Sequence, residues 1–114
     1  MTTKFTPGPW FITGGATRYI EARIGDRLIQ EVAACGPTEA DNGYGEQQNA
    51  NARLIAAAPD LLEALQWYEA KAVQMGRAAI DQDSKLLLEL MKEIAVEYGA
   101  QARAAIAKAT GESE

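Results

Sequence analysis

Asn49, Asn51 and Arg53 form the polar cluster of this chain best suited to holding a ligand. If a helix begins at Asn49, its side chain can cap that helix by accepting a bond from a first-turn backbone N–H. Arg53 then lies close to the positive end of the helix dipole, an unfavourable place for a cation unless an anion sits beside it. First-turn N–H groups together with a guanidinium make a phosphate site. A plainer alternative stays open: Asn49 only caps, Asn51 is solvated and Arg53 pairs with a neighbour such as Glu46. Tyr44, isolated in a polar stretch, is placed to close over a bound base. Arg103, on a facing helix, is the further cation that the same site can recruit.

Other chemistry is poorly supplied. The chain has no histidine and one cysteine, Cys35, which removes the commonest general base, any internal disulfide and any cysteine-built zinc site. Asp81 with Asp83, and Glu93 with Glu97, are acidic pairs. Asp83 reads better as the cap of a following helix and the glutamates as its solvated face. No glycine pattern of the P-loop or dinucleotide-binding kind precedes the helix at Asn49. Without a nucleophile, its base or a metal cluster, the expectation is a protein that is not an enzyme and uses no metal or cofactor. Trp10, Tyr19 and the arginines Arg18, Arg23 and Arg27 offer stacking and phosphate contacts, but packing is the more economical role for the aromatics.

Composition narrows the partners. A formal charge of −5 and a pI near 4.7, over 114 residues that are 47% apolar, argue against a sequence-independent grip on duplex DNA. No apolar run is long enough to cross a membrane, and the opening Met1-Thr2-Thr3-Lys4-Phe5 lacks a signal-peptide core. A soluble, cytoplasmic location is expected.

The elements that must position these residues divide the chain into a β region with its loop over 1–48 and a helical region over 49–114, expected to form a single α+β domain. Residues 6–48 hold three of four prolines and seven of ten glycines, the composition of short strands and turns. Thr6-Pro7-Gly8-Pro9 leads into a first strand at Trp10, Phe11 and Ile12. Arg18 to Ile24 and Leu28 to Ala34 flank Gly25-Asp26-Arg27 as a hairpin, with Ile20, Ala22 and Ile24 expected on the same face as Leu28, Val32 and Ala34. Gly36 to Gln48 has no periodicity and reads as a mobile loop. Pro59 should end or kink a short first helix and open a second. In the second, Leu61, Leu65, Tyr68, Ala72, Met75 and Ala79 step by four and three. After Asp81-Gln82-Asp83, the residues Leu88, Met91, Ala95, Tyr98, Ala102, Ala105 and Ala109 repeat the pattern, predicting a long antiparallel helical hairpin with paired seams. Leu86, Leu87, Leu90 and Ile94 then look like surplus apolar surface, which predicts a homo-dimer or higher oligomer through the helices.

Three stretches together resemble a family of small phage and prophage proteins: Thr6-Pro7-Gly8-Pro9-Trp10, the run Asn51-Ala52-Arg53-Leu54-Ile55-Ala56-Ala57-Ala58-Pro59-Asp60-Leu61-Leu62-Glu63-Ala64-Leu65, and Ala102-Arg103-Ala104-Ala105-Ile106-Ala107-Lys108-Ala109-Thr110-Gly111. The resemblance implies an accessory phage product acting in a bacterial host cytoplasm. The architecture, a β region followed by two long associating helices, is also similar to phage anti-Thoeris sponge proteins, which bind cyclic ADP-ribose signals without cleaving them. No motif carries individual contacts across from them. The resemblance favours an anti-defence protein that sequesters a host cyclic nucleotide or cyclic ADP-ribose immune signal, and the physical argument alone offers Tyr44, Asn49, Asn51, Arg53 and Arg103 as its ligand contacts. The alternative is an accessory factor that binds and inhibits or adapts a host protein.

Overall fold

A computed structural model describes residues 4–26, 28–37 and 45–112. Strands β1 (Trp10–Gly14), β2 (Arg18–Ile24) and β3 (Leu28–Cys35) form an antiparallel meander in that order. Among the described residues four helices follow: α1 (Glu46–Ala56), α2 (Ala58–Ile80), α3 (Ser84–Glu97) and α4 (Ala100–Thr110). The α+β architecture expected from the sequence is the one observed. Arg27, Tyr44 and most of the Gly36 to Gln48 loop lie outside the described residues.

The β2–β3 register departs from simple alternation. Ile24 faces Leu28 and Glu21 faces Glu31, but beyond a bulge Ile20 pairs with Ala33 and Arg18 with Cys35. One extra residue in β3 exchanges the two faces. Ala33 and Cys35 therefore take the core side, and Ala34, expected there, lies exposed opposite Tyr19. Helix α1 closes this face: Ile20, Cys35, Ala52 and Ala56 form the core, with Trp10, Val32, Ala33 and Ile55 packed around it. Small alanines on α1 let the helix approach the sheet closely.

Helix α1 starts earlier than its sequence suggests. Its N-cap is Gly45 in left-handed geometry (φ 78°), which places Glu46, not Asn49, at the positive end of the dipole. Buried Gln48 locks the start by donating to the carbonyls of Ala16 (2.7 Å) and Cys35 (2.6 Å). A Cβ on Gly45 would lie 2.6 Å from that amide, so glycine answers both the turn and the space.

Pro59 opens α2 as expected, and the Asp83 carboxylate caps α3 by accepting from the Leu86 N–H (3.0 Å). The last helix is not continuous. Tyr98 (φ 53°) and Gly99 (φ 73°) break it into α3 and α4, and Glu97 stitches the break by accepting from the N–H groups of Gly99 (2.9 Å) and Gln101 (2.6 Å). Tyr68 of α2 donates its hydroxyl to the same carboxylate. That bond holds the Glu97 pKa below its usual value and raises that of Tyr68.

The helical hairpin forms antiparallel, as Lys71–Glu93 and Lys108–Asp60 ion pairs attest, but on a rotated seam. Ala64, Ala78, Leu90 and Ala105 are buried and Leu87 and Ile94 half-buried, whereas Leu65, Leu88, Met91 and Tyr98 are exposed. Two apolar stripes run along α3 about 100° apart. Of the residues read from sequence as surplus, Leu87, Leu90 and Ile94 close on α2 while Leu86 stays exposed, and the break at Tyr98–Gly99 interrupts the stepping that made the other stripe look like a seam. Helix α4 packs on α1 and α2, leaving the far ends of α2 and α3 as a two-helix projection. The result is elongated, 58 × 32 × 20 Å with a radius of gyration of 18.5 Å, against about 13 Å for a compact chain of this length.

Candidate functional site

The expected ligand residues separate in space. Asn49 lies inside α1 and its Oδ1 accepts from Arg18 Nε (2.9 Å), tying helix to sheet. Asn51 is exposed. Arg103 stacks its guanidinium over the Tyr98 ring and donates to the Tyr98 carbonyl, at the start of α4. Arg53 lies against Gly111, past the other end of α4. The structure therefore does not gather these residues into one cluster. Because α1 begins at Glu46, Arg53 falls in its last turn, where the dipole favours a cation. The dipole argument for an anion beside Arg53 thus fails, and the free N–H groups of the first turn are about 10 Å away along the axis.

A different observation singles out Arg53. Its Nε is buried without a hydrogen-bond partner, and the expected pairing with Glu46 is not formed. A buried N–H left unmade is costly, about 1–3 kcal/mol. Arg53 lines a cleft of about 370 Å³ with Pro9, Trp10, Phe11, Ile12, Ala56 and Lys108, a volume within the usual range of small-ligand pockets. Strand β1 presents the aromatic and apolar wall. Trp10 is fixed by its indole N–H to the Thr6 carbonyl (3.0 Å), which leaves ring surface rather than a donor for a ligand. Lys108 is held by an exposed pair with Asp60 (2.6 Å), an interaction worth little in water and readily exchanged for an anion.

This cleft is where the three stretches conspicuous in the sequence meet. Pro9 and Trp10 come from the first, Arg53 and Ala56 from the second, and Lys108 from the third. Two close approaches hold them together: a Cβ on Gly8 would lie 2.7 Å from Pro59 Cβ, and one on Gly111 2.7 Å from Arg53 Nε. The role of Lys108 was not anticipated, since a lone lysine on a helix carries no signal until the fold sets it beside Arg53. Packing is the role the sequence predicts for Trp10, and its contact with the core cluster agrees with that, but Trp10 also lines the cleft.

Among the described residues no group of three or more His, Cys, Asp or Glu side chains gathers as a metal site, and no helix is long and apolar enough to cross a membrane. The fold and cleft define a small α+β protein with two cations and an aromatic wall around one concavity. The sequence profile of the Salmonella phage P22 protein Y8K6 family matches residues 1–113, and the chain belongs to that family. No curated protein and no solved structure matches it.

Proposed function

We propose that this protein is a phage-encoded accessory factor that works in the host cytoplasm by holding a nucleotide-derived immune signal, unmodified, in the cleft between β1, α1 and α4. The lining of this cleft carries this reading: Arg53, whose buried Nε has no partner, shares it with Lys108, Trp10 and Phe11. A nucleotide needs cations for its phosphate and an apolar or aromatic surface for its base, and both are within one concavity. The acidic chain as a whole is no obstacle, since the two cations act locally. Membership of a phage family supports the phage-encoded part of this reading, and the ligand class follows the sponge-like architecture expected from the sequence. Asn49 and Arg103 serve this reading as scaffold, fixing α1 on the sheet and the α3–α4 junction.

The test is a thermal-shift panel of cyclic dinucleotides, cyclic trinucleotides and ADP-ribose isomers, followed by heat release and mass analysis of the ligand. A binder at one hundred times its Kd should add about 2.7 kcal/mol of stability, be lost in Arg53→Met and be recovered intact. Absence of a shift across the whole panel would overturn the proposal. A second reading, docking of a host protein, is favoured by one feature: the exposed Leu88 and Met91 on α3, with exposed Tyr98 just past its end. It expects a co-purifying host protein whose capture is abolished by Leu88→Asp and unaffected by Arg53→Met.

A further inference from the structure

The side of α2 turned away from its seam carries exposed apolar residues among polar ones, Gln66, Glu69 and Arg77. Val73 is 49% and Ile80 82% exposed, while Ala64 and Ala78 on the opposite side are buried. At 100° per residue Val73 and Ile80 fall within about 20° of each other around the helix, with Glu69 and Arg77 to either side of that line. These two charged residues are themselves exposed and make no ion pair among the described residues. They sit four residues before and four residues after Val73.

We propose that this face binds a second copy of the chain, with the two α2 helices antiparallel and their two-fold axis at Val73. In an isologous contact of that kind, residues equidistant from the axis come level with one another. Val73 meets its own counterpart, and each Glu69 comes level with the partner's Arg77, twice over. A parallel pairing in register instead sets glutamate against glutamate and arginine against arginine, so the charge pattern selects the antiparallel arrangement.

Gly76 supplies an independent observation. A glycine inside the 23-residue α2, one turn before its end, costs about 1 kcal/mol relative to alanine. Nothing lies within 4 Å of a Cβ built on it, so no contact inside the chain requires its small size. It lies on the same side of α2, between Val73 and Ile80, where a missing side chain lets a neighbouring backbone come close. The projection of α2 and α3 beyond the β region and α4 leaves room for such a partner. Two projecting hairpins joined through α2 make a four-helix arrangement in which the outer face of each α2 is covered.

The full-length protein is to be examined by sedimentation equilibrium, with helicity followed by circular dichroism. The wild type should be a dimer. Glu69→Arg and Arg77→Glu alone should each weaken association about tenfold or more, and the double exchange should return it to within about threefold of wild type. Gly76→Leu should weaken it as well. A wild type that stays monomeric at roughly 100 µM overturns the proposal. So does a dimer indifferent to either charge reversal, or a double exchange that fails to recover. Loss of the dimer in Leu88→Asp with no effect of Glu69→Arg would move the contact to α3 and reject the α2 face.

Discussion

Arg53→Met should make the unliganded protein more stable while removing the anion binding proposed for the cleft. The aliphatic stem of arginine packs along the wall of the cleft, and methionine keeps most of that volume without a donor. What it removes is the buried Nε that has no partner, a liability of about 1–3 kcal/mol. Against this stands the loss of a cation in the last turn of α1, worth about 0.3–1 kcal/mol at the negative end of the dipole. The balance is a gain of about 1 kcal/mol, or roughly 4–8 °C in Tm for a domain near this size. Urea and thermal denaturation at low phosphate would measure it, since a bound anion would hide the effect by stabilising the wild type. Arg53→Ala is the contrasting variant: it loses the stem packing as well and should gain less or be destabilised. If Arg53→Met destabilises by about 1 kcal/mol or more, Arg53 is a structural residue and the case for the cleft collapses.

Gly111→Ala should cost about 1–2 kcal/mol, from left-handed backbone strain at φ 76° together with the 2.7 Å approach to Arg53. Gly25→Ala shares the strain (φ 68°) but meets nothing, so the excess at Gly111 should disappear in an Arg53→Ala background when the two are compared by urea denaturation. Asp83→Ala should lose about 1 kcal/mol by freeing the Leu86 N–H at the start of α3. Glu97 gives a pH dependence: its carboxyl titrates lower in the fold than the 4.5 of the free group, chiefly because Tyr68 donates to it. As pH falls the unfolded carboxyl takes up its proton first. The stability Glu97 provides is therefore intact above about pH 4.5 and lost as pH drops through the folded value. Melting curves of Glu97→Gln should show a flatter acid slope than wild type.

Local patterns were legible where a residue's preference and its tertiary role coincide. The hairpin at Gly25, the break at Pro59 and the Asp83 cap each depend on backbone chemistry that the residue itself dictates. The bulge in β3 was not legible, because alternation alone cannot reveal an extra residue, and it moved Ala34 out of the core in favour of Ala33. The start of α1 was misplaced for a related reason. Asn49 is a good cap by type, yet Gly45 and the buried Gln48 amide define the terminus through bonds to the β1–β2 turn at Ala16 and to the end of β3 at Cys35 that exist only after folding. On α3, two stripes of similar apolarity left the choice of seam to packing, and the break at Tyr98–Gly99 decided against the one with the longer repeat.

The same distinction governs the site. Arg53 was singled out by a dipole argument that the helix start then removed, and it remains of interest for a reason no sequence displays: its buried Nε is unsatisfied. Natural folds pair nearly all buried donors, so an exception at the wall of a cleft suggests a partner supplied from outside. Lys108 reached the same cleft only because α4 packs against α1 and α2, which in turn requires the helix to break at Gly99 and reset its direction. A substitution at that distant junction should therefore register at the cleft. Glu97→Gln, which weakens the capping of α4, should reduce ligand affinity through Lys108 while leaving the Arg53 contact in place, and so reduce it less than Arg53→Met does. Titration calorimetry of the two variants and their combination would read this. If the junction acts only through Lys108, adding Glu97→Gln to Lys108→Ala should cause no further loss, and a full additional loss would disprove the coupling.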